Sequence, residues 1–208
     1  STDALEAQAD VEEAQALAAE GDPDAALAKL QEAVAIDPAN DAARADYVRM
    51  LMDRSLTDPS LLTVAKQAFA PVAGKVMGDA RLSALGQWLE ACDKAPQART
   101  PEQLAAAVAG NKRDFEARFE WAQVQLARGH FTGALDELLE IIMRDKQWNK
   151  EAARKLFVAI LELMTKPVPK AAAAAGKTGT LELTGKTAVA GADPLVDGYR
   201  RKLSMALF

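Results

Sequence analysis

Short helix-forming segments, each stopped by Gly or Pro and restarted within a few residues, recur along this 208-residue chain with a common spacing. Ala14 and Leu17 mark a first segment, Gly21-Asp22-Pro23 breaks it, and Ala26, Leu30 and Ala33 mark a second that ends before Pro38. The pair Ala26 and Leu30 returns as Ala134 and Leu138, and 134 − 26 = 108 residues, or three periods of 36. A period of this length belongs to helical hairpins that stack on neighbours to bury their apolar faces. The small Ala lets two helices approach closely, the larger residue four positions on fills the groove beside it, and Pro38 stops the helix.

The spacing Ala26, Leu30, Pro38 reproduces the A-x3-F…P half of the tetratricopeptide pattern, with Leu in place of the aromatic. Ala65 and Phe69 match the same half, as do Ala134 and Leu138, while Leu82, Leu85, Gly86 and Leu89 have the spacing of W-x2-L-G-x2-Y. No single repeat is complete, and four hairpins follow from the spacing. Helices are expected over residues 3–19, 23–36, 40–54, 58–73, 78–92, 100–109, 114–128, 131–145, 149–164 and 193–207. Thr100-Pro101-Glu102-Gln103 predicts a capping box with Pro in the first turn, and Asp193-Pro194 starts the last helix in the same way. There Leu195, Tyr199, Leu203 and Leu207 form an apolar stripe, with Arg200, Arg201 and Lys202 off it.

The expected fold class is therefore all-α, a tetratricopeptide-like right-handed α-α superhelix of stacked helical hairpins with a low-complexity insertion before the last helix. Residues 1–165 are expected to form degenerate hairpins. Residues 166–192, rich in Ala, Gly, Lys and Thr, read as an insertion or linker, within which Thr180-Leu181-Glu182-Leu183-Thr184 has the pattern of a short hairpin. Residues 193–208 are expected to form an amphipathic helix that packs on or extends the superhelix.

Composition removes several function classes. The chain is 50% apolar but only 5% aromatic, and Ala supplies about a fifth of it, so the interior must use small side chains. A net charge of −5 argues against a nucleic-acid footprint. Cys92 and His130 are each the sole residue of their type, which leaves no internal disulfide, no His-based metal site and no expected metal or cofactor. No apolar run approaches the ~20 residues of a membrane span. The first residues lack the basic and apolar regions of a secretory signal, so the cytoplasm is the expected compartment. A start at Ser1 rather than Met is consistent with a fragment or processed form.

Residues with chemical potential have plainer explanations. Gly176-Lys177-Thr178 and Gly185-Lys186-Thr187 echo the end of a phosphate-binding loop, but Ala171 and Thr180 stand where its first Gly belongs. Acidic Glu90 and Asp93 near Cys92 suppress its thiolate. His130 follows Gly129 in a turn, and no second residue supports it as a base. Paired carboxylates such as Glu12-Glu13 and Asp136-Glu137 read as solvated helix surface. Trp88, Phe115, Phe119, Trp121, Phe131 and Trp148 read as core fillers before groove contacts. Residues 1–54 carry 4 − 13 = −9 and residues 144–208 carry 12 − 6 = +6, a gradient that serves solubility or orients an acidic partner toward the C-terminal end.

One family resemblance is specific. Ala19-Glu20-Gly21-Asp22, Ala25-Ala26 and Asp37-Pro38-Ala39-Asn40 are similar to the start of the tetratricopeptide region in bacterial thioredoxin-fold co-chaperones, the chaperedoxins. Tyr199-Arg200-Arg201-Lys202-Leu203, closing with Ala206-Leu207-Phe208, resembles that family's terminal Y-R-R-x-L…L-[FY]. Trp121-Ala122, Gly129, Ala134-Leu135 and Leu138-Leu139 fit its later repeat. The resemblance implies a missing thioredoxin-like domain before Ser1, holding of unfolded client proteins, and their transfer to the bacterial chaperonin. It further implies protein-binding roles for Tyr199, Arg200, Arg201, Leu203, Leu207 and Phe208. The insertion at 166–192 departs from the family, whose last two helices are joined briefly. No catalytic residue is expected. A stand-alone tetratricopeptide scaffold is the alternative, and an enzyme is the weakest reading, because no nucleophile, base and oxyanion donors converge.

Overall fold

The computed structural model describes residues 1–166 and 193–208, and among these it forms ten α-helices and no strand. They are α1 (Thr2–Ala19), α2 (Pro23–Ile36), α3 (Asp41–Ser55), α4 (Leu61–Phe69), α5 (Ala80–Lys94), α6 (Pro101–Gly110), α7 (Phe115–Ala127), α8 (Phe131–Arg144), α9 (Trp148–Met164) and α10 (Pro194–Leu207). The two Gly-Lys-Thr sequences, the hairpin expected at 180–184 and all of the 166–192 insertion except Lys166 lie outside the described residues.

The 108-residue recurrence is visible in the turns. Gly21 ends α1 at φ +86°, with Asp22 N–H donating to Leu17 O and Gly21 N–H to Ala18 O. Gly129 ends α7 at φ +74°, with His130 N–H donating to Gln125 O and Gly129 N–H to Leu126 O. Both pairs of bonds make the Schellman cap, which satisfies the last helical carbonyls and needs a residue at home with positive φ. Helix starts are equally local. Asp22, Asn40, Asp79, Asp114 and Asp193 accept backbone N–H bonds from the first turn. Thr100 and Gln103 close the expected capping box, at 3.2 and 2.9 Å.

Two expected segments differ. The helix expected over 58–73 is α4, Leu61–Phe69, followed by a 3₁₀ turn at Ala70–Lys75. Asp58 binds the Ser60 N–H and hydroxyl, which keeps residues 58–60 outside the helix, and Pro71 has no N–H with which to continue it. In α9, Asn149, Lys150 and Glu151 take φ values of 47°, 55° and 62°, a left-handed turn just after Trp148. Each costs a non-Gly residue about 1–2 kcal/mol.

The chain divides into two compact units, residues 1–97 with 124–130 and residues 98–123 with 131–208. In the first, α1 packs on α2 through Ala7, Val11 and Ala14 against Ala26, Leu30 and Ala33, all buried. Lys29 on α2 reaches Asp10 and Glu13 on α1, with Glu32 of its own helix as a third partner. Helix α3 packs on α2, α4 and α5. Buried Arg44 donates to Pro38 O and Ala68 O, joining the α2–α3 turn to the end of α4. Trp88 on α5 is fully buried, with the Arg49 guanidinium 5.4 Å from its ring. Gly86 lies against Phe69; a Cβ at that position would sit 3.2 Å from Phe69 Cζ.

In the second unit, α8 packs on α9 through Leu135, Leu138, Ile142, Phe157 and Ile160, and α10 lies on both. Buried Arg118 donates to Glu137 at 2.7 Å and to Lys112 O at 2.9 Å. Arg99 grips Glu120 through its guanidinium and its own backbone N–H. The bidentate grip holds the Glu120 carboxyl below its ordinary range, an effect that burial partly offsets.

Candidate protein-interaction surface on the terminal helix

Helix α10 begins where Asp193 accepts the Leu195 N–H at 2.9 Å and Pro194 fits the first turn. Its inner stripe is shorter than the sequence implies, because Val196 and Tyr199 are buried, Leu203 and Leu207 are half-buried and Leu195 is 50% exposed. Three polar ties supplement this stripe. Tyr199 Oη donates to Asp136 Oδ1 on α8 at 2.8 Å, Arg200 Nη2 donates to Thr165 Oγ1 after α9 at 3.1 Å, and Lys146 Nζ donates to Leu207 O at 2.6 Å. The last tie places a cation on a terminal carbonyl, where the helix dipole favours it.

The six residues singled out in the sequence therefore do different things. Tyr199 faces inward, with its ring edge-on to Phe157 at 6.3 Å and Lys202 Nζ 4.6 Å from its ring centre. Burial and the Asp136 carboxylate push its hydroxyl up to about 12. It positions the helix rather than offering a surface. Leu203 and Leu207 straddle the edge of the contact. Arg200 is exposed but tied to Asp197 and Thr165. Arg201 and Phe208 are exposed and share the outer face with Met205, at i, i+4 and i+7 spacing. Met205 is 81% exposed and Phe208 fully so.

Sequence reasoning missed Asp136, Lys146 and Thr165 as partners of this helix, since each answers it from 35 or more residues away. Of the Asp136-Glu137 pair, expected to be solvated surface, Asp136 is exposed as expected and Glu137 is half-buried, and both have structural partners. Asp136 holds Tyr199, and Glu137 neutralises buried Arg118. The direction read for Cys92 is found, although burial precedes Asp93 as its cause: the half-buried thiol is pushed up to about 11. His130 sits exposed in the Gly129 turn. Among the six aromatic residues, Trp88 and Phe115 are buried, while Phe119, Trp121, Phe131 and Trp148 are half-buried. Among the described residues, no three His, Cys, Asp or Glu side chains are grouped to hold a metal, and no helix is long and apolar enough to cross a membrane.

Two family models match the chain, each described as a tetratricopeptide repeat, one over residues 17–58 and one over residues 94–181. The first match contains the Gly21 turn with Ala26, Leu30 and Pro38, and the second contains the Gly129 turn with Ala134 and Leu138. No curated protein matches the chain. The fold is thus all-α and tetratricopeptide-like, and such repeats serve as protein-interaction modules.

Proposed function

We propose that these tetratricopeptide repeats form the non-catalytic, protein-binding part of a cytoplasmic thioredoxin-like co-chaperone, which holds unfolded clients and passes them to a chaperonin. The outer face of α10 is the observation that carries the reading. Arg201, Met205 and Phe208 stand in solvent on a helix seated by Val196 and Tyr199, an arrangement suited to entering a partner's groove. Client segments bind weakly through exposed apolar side chains, and release follows transfer to a partner with more apolar surface. The resemblance of the terminal Tyr199-Arg200-Arg201-Lys202-Leu203 segment supports the choice of partner and implies a thioredoxin-like domain upstream.

Retention on immobilised bacterial chaperonin tests this directly. The chain should be retained, and Arg201→Glu with Phe208→Ala should reduce retention at least tenfold. Equal retention of the double variant removes α10 from the mechanism. The stand-alone scaffold reading draws on the repeats alone, and it differs in a measurable way. A scaffold leaves the light scattering of a thermally denaturing model protein unchanged, whereas a client-holding domain slows it.

A further inference from the structure

Six methionines stand in the chain, and solvent reaches them unequally. Met52 is fully buried, Met50 and Met164 are half-buried and Met143 is 52% exposed, whereas Met205 is 81% and Met77 96% exposed. A thioether needs no prior loss of a proton to react with a peroxide, so access to the sulfur governs which methionine reacts first. The one thiol competes poorly, because Cys92 is half-buried and burial pushes it up to about 11, leaving little thiolate.

The place of Met205 on α10 gives such a reaction a consequence. Its side chain lies one turn from both Arg201 and Phe208 on the outer face. The seat of the helix is made by other residues: Val196 and Tyr199 are buried, and Asp136, Thr165 and Lys146 supply the polar ties. Chemistry at the sulfur therefore alters the outward face and leaves the seat intact. We infer that Met205 is a reversible oxidation site whose sulfoxide switches off docking by the outer face of α10, an inference that rests on the docking proposed above. Hydrogen peroxide transfers one oxygen to the sulfur. A sulfur lone pair forms the S–O bond as the O–O bond breaks, the thioether loses two electrons to become the sulfoxide, and the peroxide leaves as water. An apolar knob thereby becomes a strong hydrogen-bond acceptor, which must shed its water to enter an apolar groove. Reversal falls to methionine sulfoxide reductases, with the oxygen leaving as water while two thiols are oxidised to a disulfide. Met77, before α5 in the other compact unit, oxidises alongside and serves as an internal reference.

Graded hydrogen peroxide on the intact chain, read by peptide mass mapping and by retention on immobilised bacterial chaperonin, tests the inference. Sulfoxide should form at Met77 and Met205 before Met143, and at Met52 last. Retention should fall at least about tenfold as Met205 converts, with the thermal unfolding midpoint unchanged, and should return after treatment with sulfoxide reductases and a dithiol. Met205→Gln, a polar side chain of similar length, should lose retention without any peroxide. Each further variant is read against itself before and after peroxide. Met205→Leu should show no additional loss, whereas the double variant Met77→Leu with Met143→Leu should lose retention as the unsubstituted chain does. The inference is overturned if Met205 converts no faster than Met52, if retention survives full conversion of Met205, or if peroxide lowers retention of Met205→Leu equally, which would assign the effect to Cys92 or another methionine. Absence of retention before any peroxide is added instead overturns the docking reading, and this inference with it.

Discussion

Gly21 and Gly129 fill the same place in turns 108 residues apart, but their neighbours differ. A Cβ at Gly21 would meet nothing within 4 Å, whereas one at Gly129 would lie 2.8 Å from Leu56 Cδ1. Gly21→Ala should therefore cost only the left-handed penalty, about 1 kcal/mol. Gly129→Ala should cost more, because Leu56 must also move; thermal unfolding of the two variants measures the difference. At Lys150 the logic reverses. Lys150→Gly relieves a residue held at φ 55° and should stabilise the chain by about 0.5 kcal/mol, or a degree or two in Tm. The glycine turns were legible in the sequence because their chemistry is local. The turn after Trp148 was not, since Asn-Lys-Glu carries no Gly to signal positive φ.

The helices themselves were readable wherever caps and breakers are written into adjacent residues, as at Thr100 to Gln103. Reading failed at residues 58–73, where an Asp58 side-chain turn and Pro71 outweigh the propensity of the stretch between them. The docking of α10 was only half visible, because its apolar spacing shows which side turns inward but not which residues receive it. If Asp136 holds Tyr199 as described, Asp136→Ala should raise amide exchange in α10 at least severalfold while leaving α2 unchanged, as read by hydrogen-exchange mass spectrometry. Arg99 and Glu120 secure the approach to α6 in a pH-dependent way. The Glu120 carboxyl is held low in the folded chain, so its contribution is present above the unfolded-state value of about 4.3 and fades as pH falls through the folded value. Glu120→Gln should therefore unfold more easily than the unsubstituted chain at pH 7, and the gap should close under acid conditions.

At the scale of the molecule, the core is a collection of small contacts. Ala7, Ala26, Ala33, Ala65 and Ala134 are each fully buried, and Leu51, Leu85, Trp88, Leu138, Ile142 and Phe157 fill the space those close approaches leave. The Ala-rich composition announced the alanines but not how much Leu, Ile and aromatic bulk is buried with them, and the 36-residue spacing announced the pairing. What the spacing withheld was the division into two units, with residues 124–130 joined to the first. Stability in repeats is close to nearest-neighbour. Leu30→Ala should accordingly cost about 2–5 kcal/mol and raise exchange in α1 to α3 while sparing α8 and α9. Gly86 and Phe69 carry the same principle to two positions in different helices. One is a hollow and the other its filling, so their sizes are inherited jointly: a methyl added to the first would press on the ring of the second at 3.2 Å, and that ring must give way by a few tenths of an ångström. Variation in this family of shapes should run through matched exchanges of bulk, with each helix constrained by the silhouette of the next.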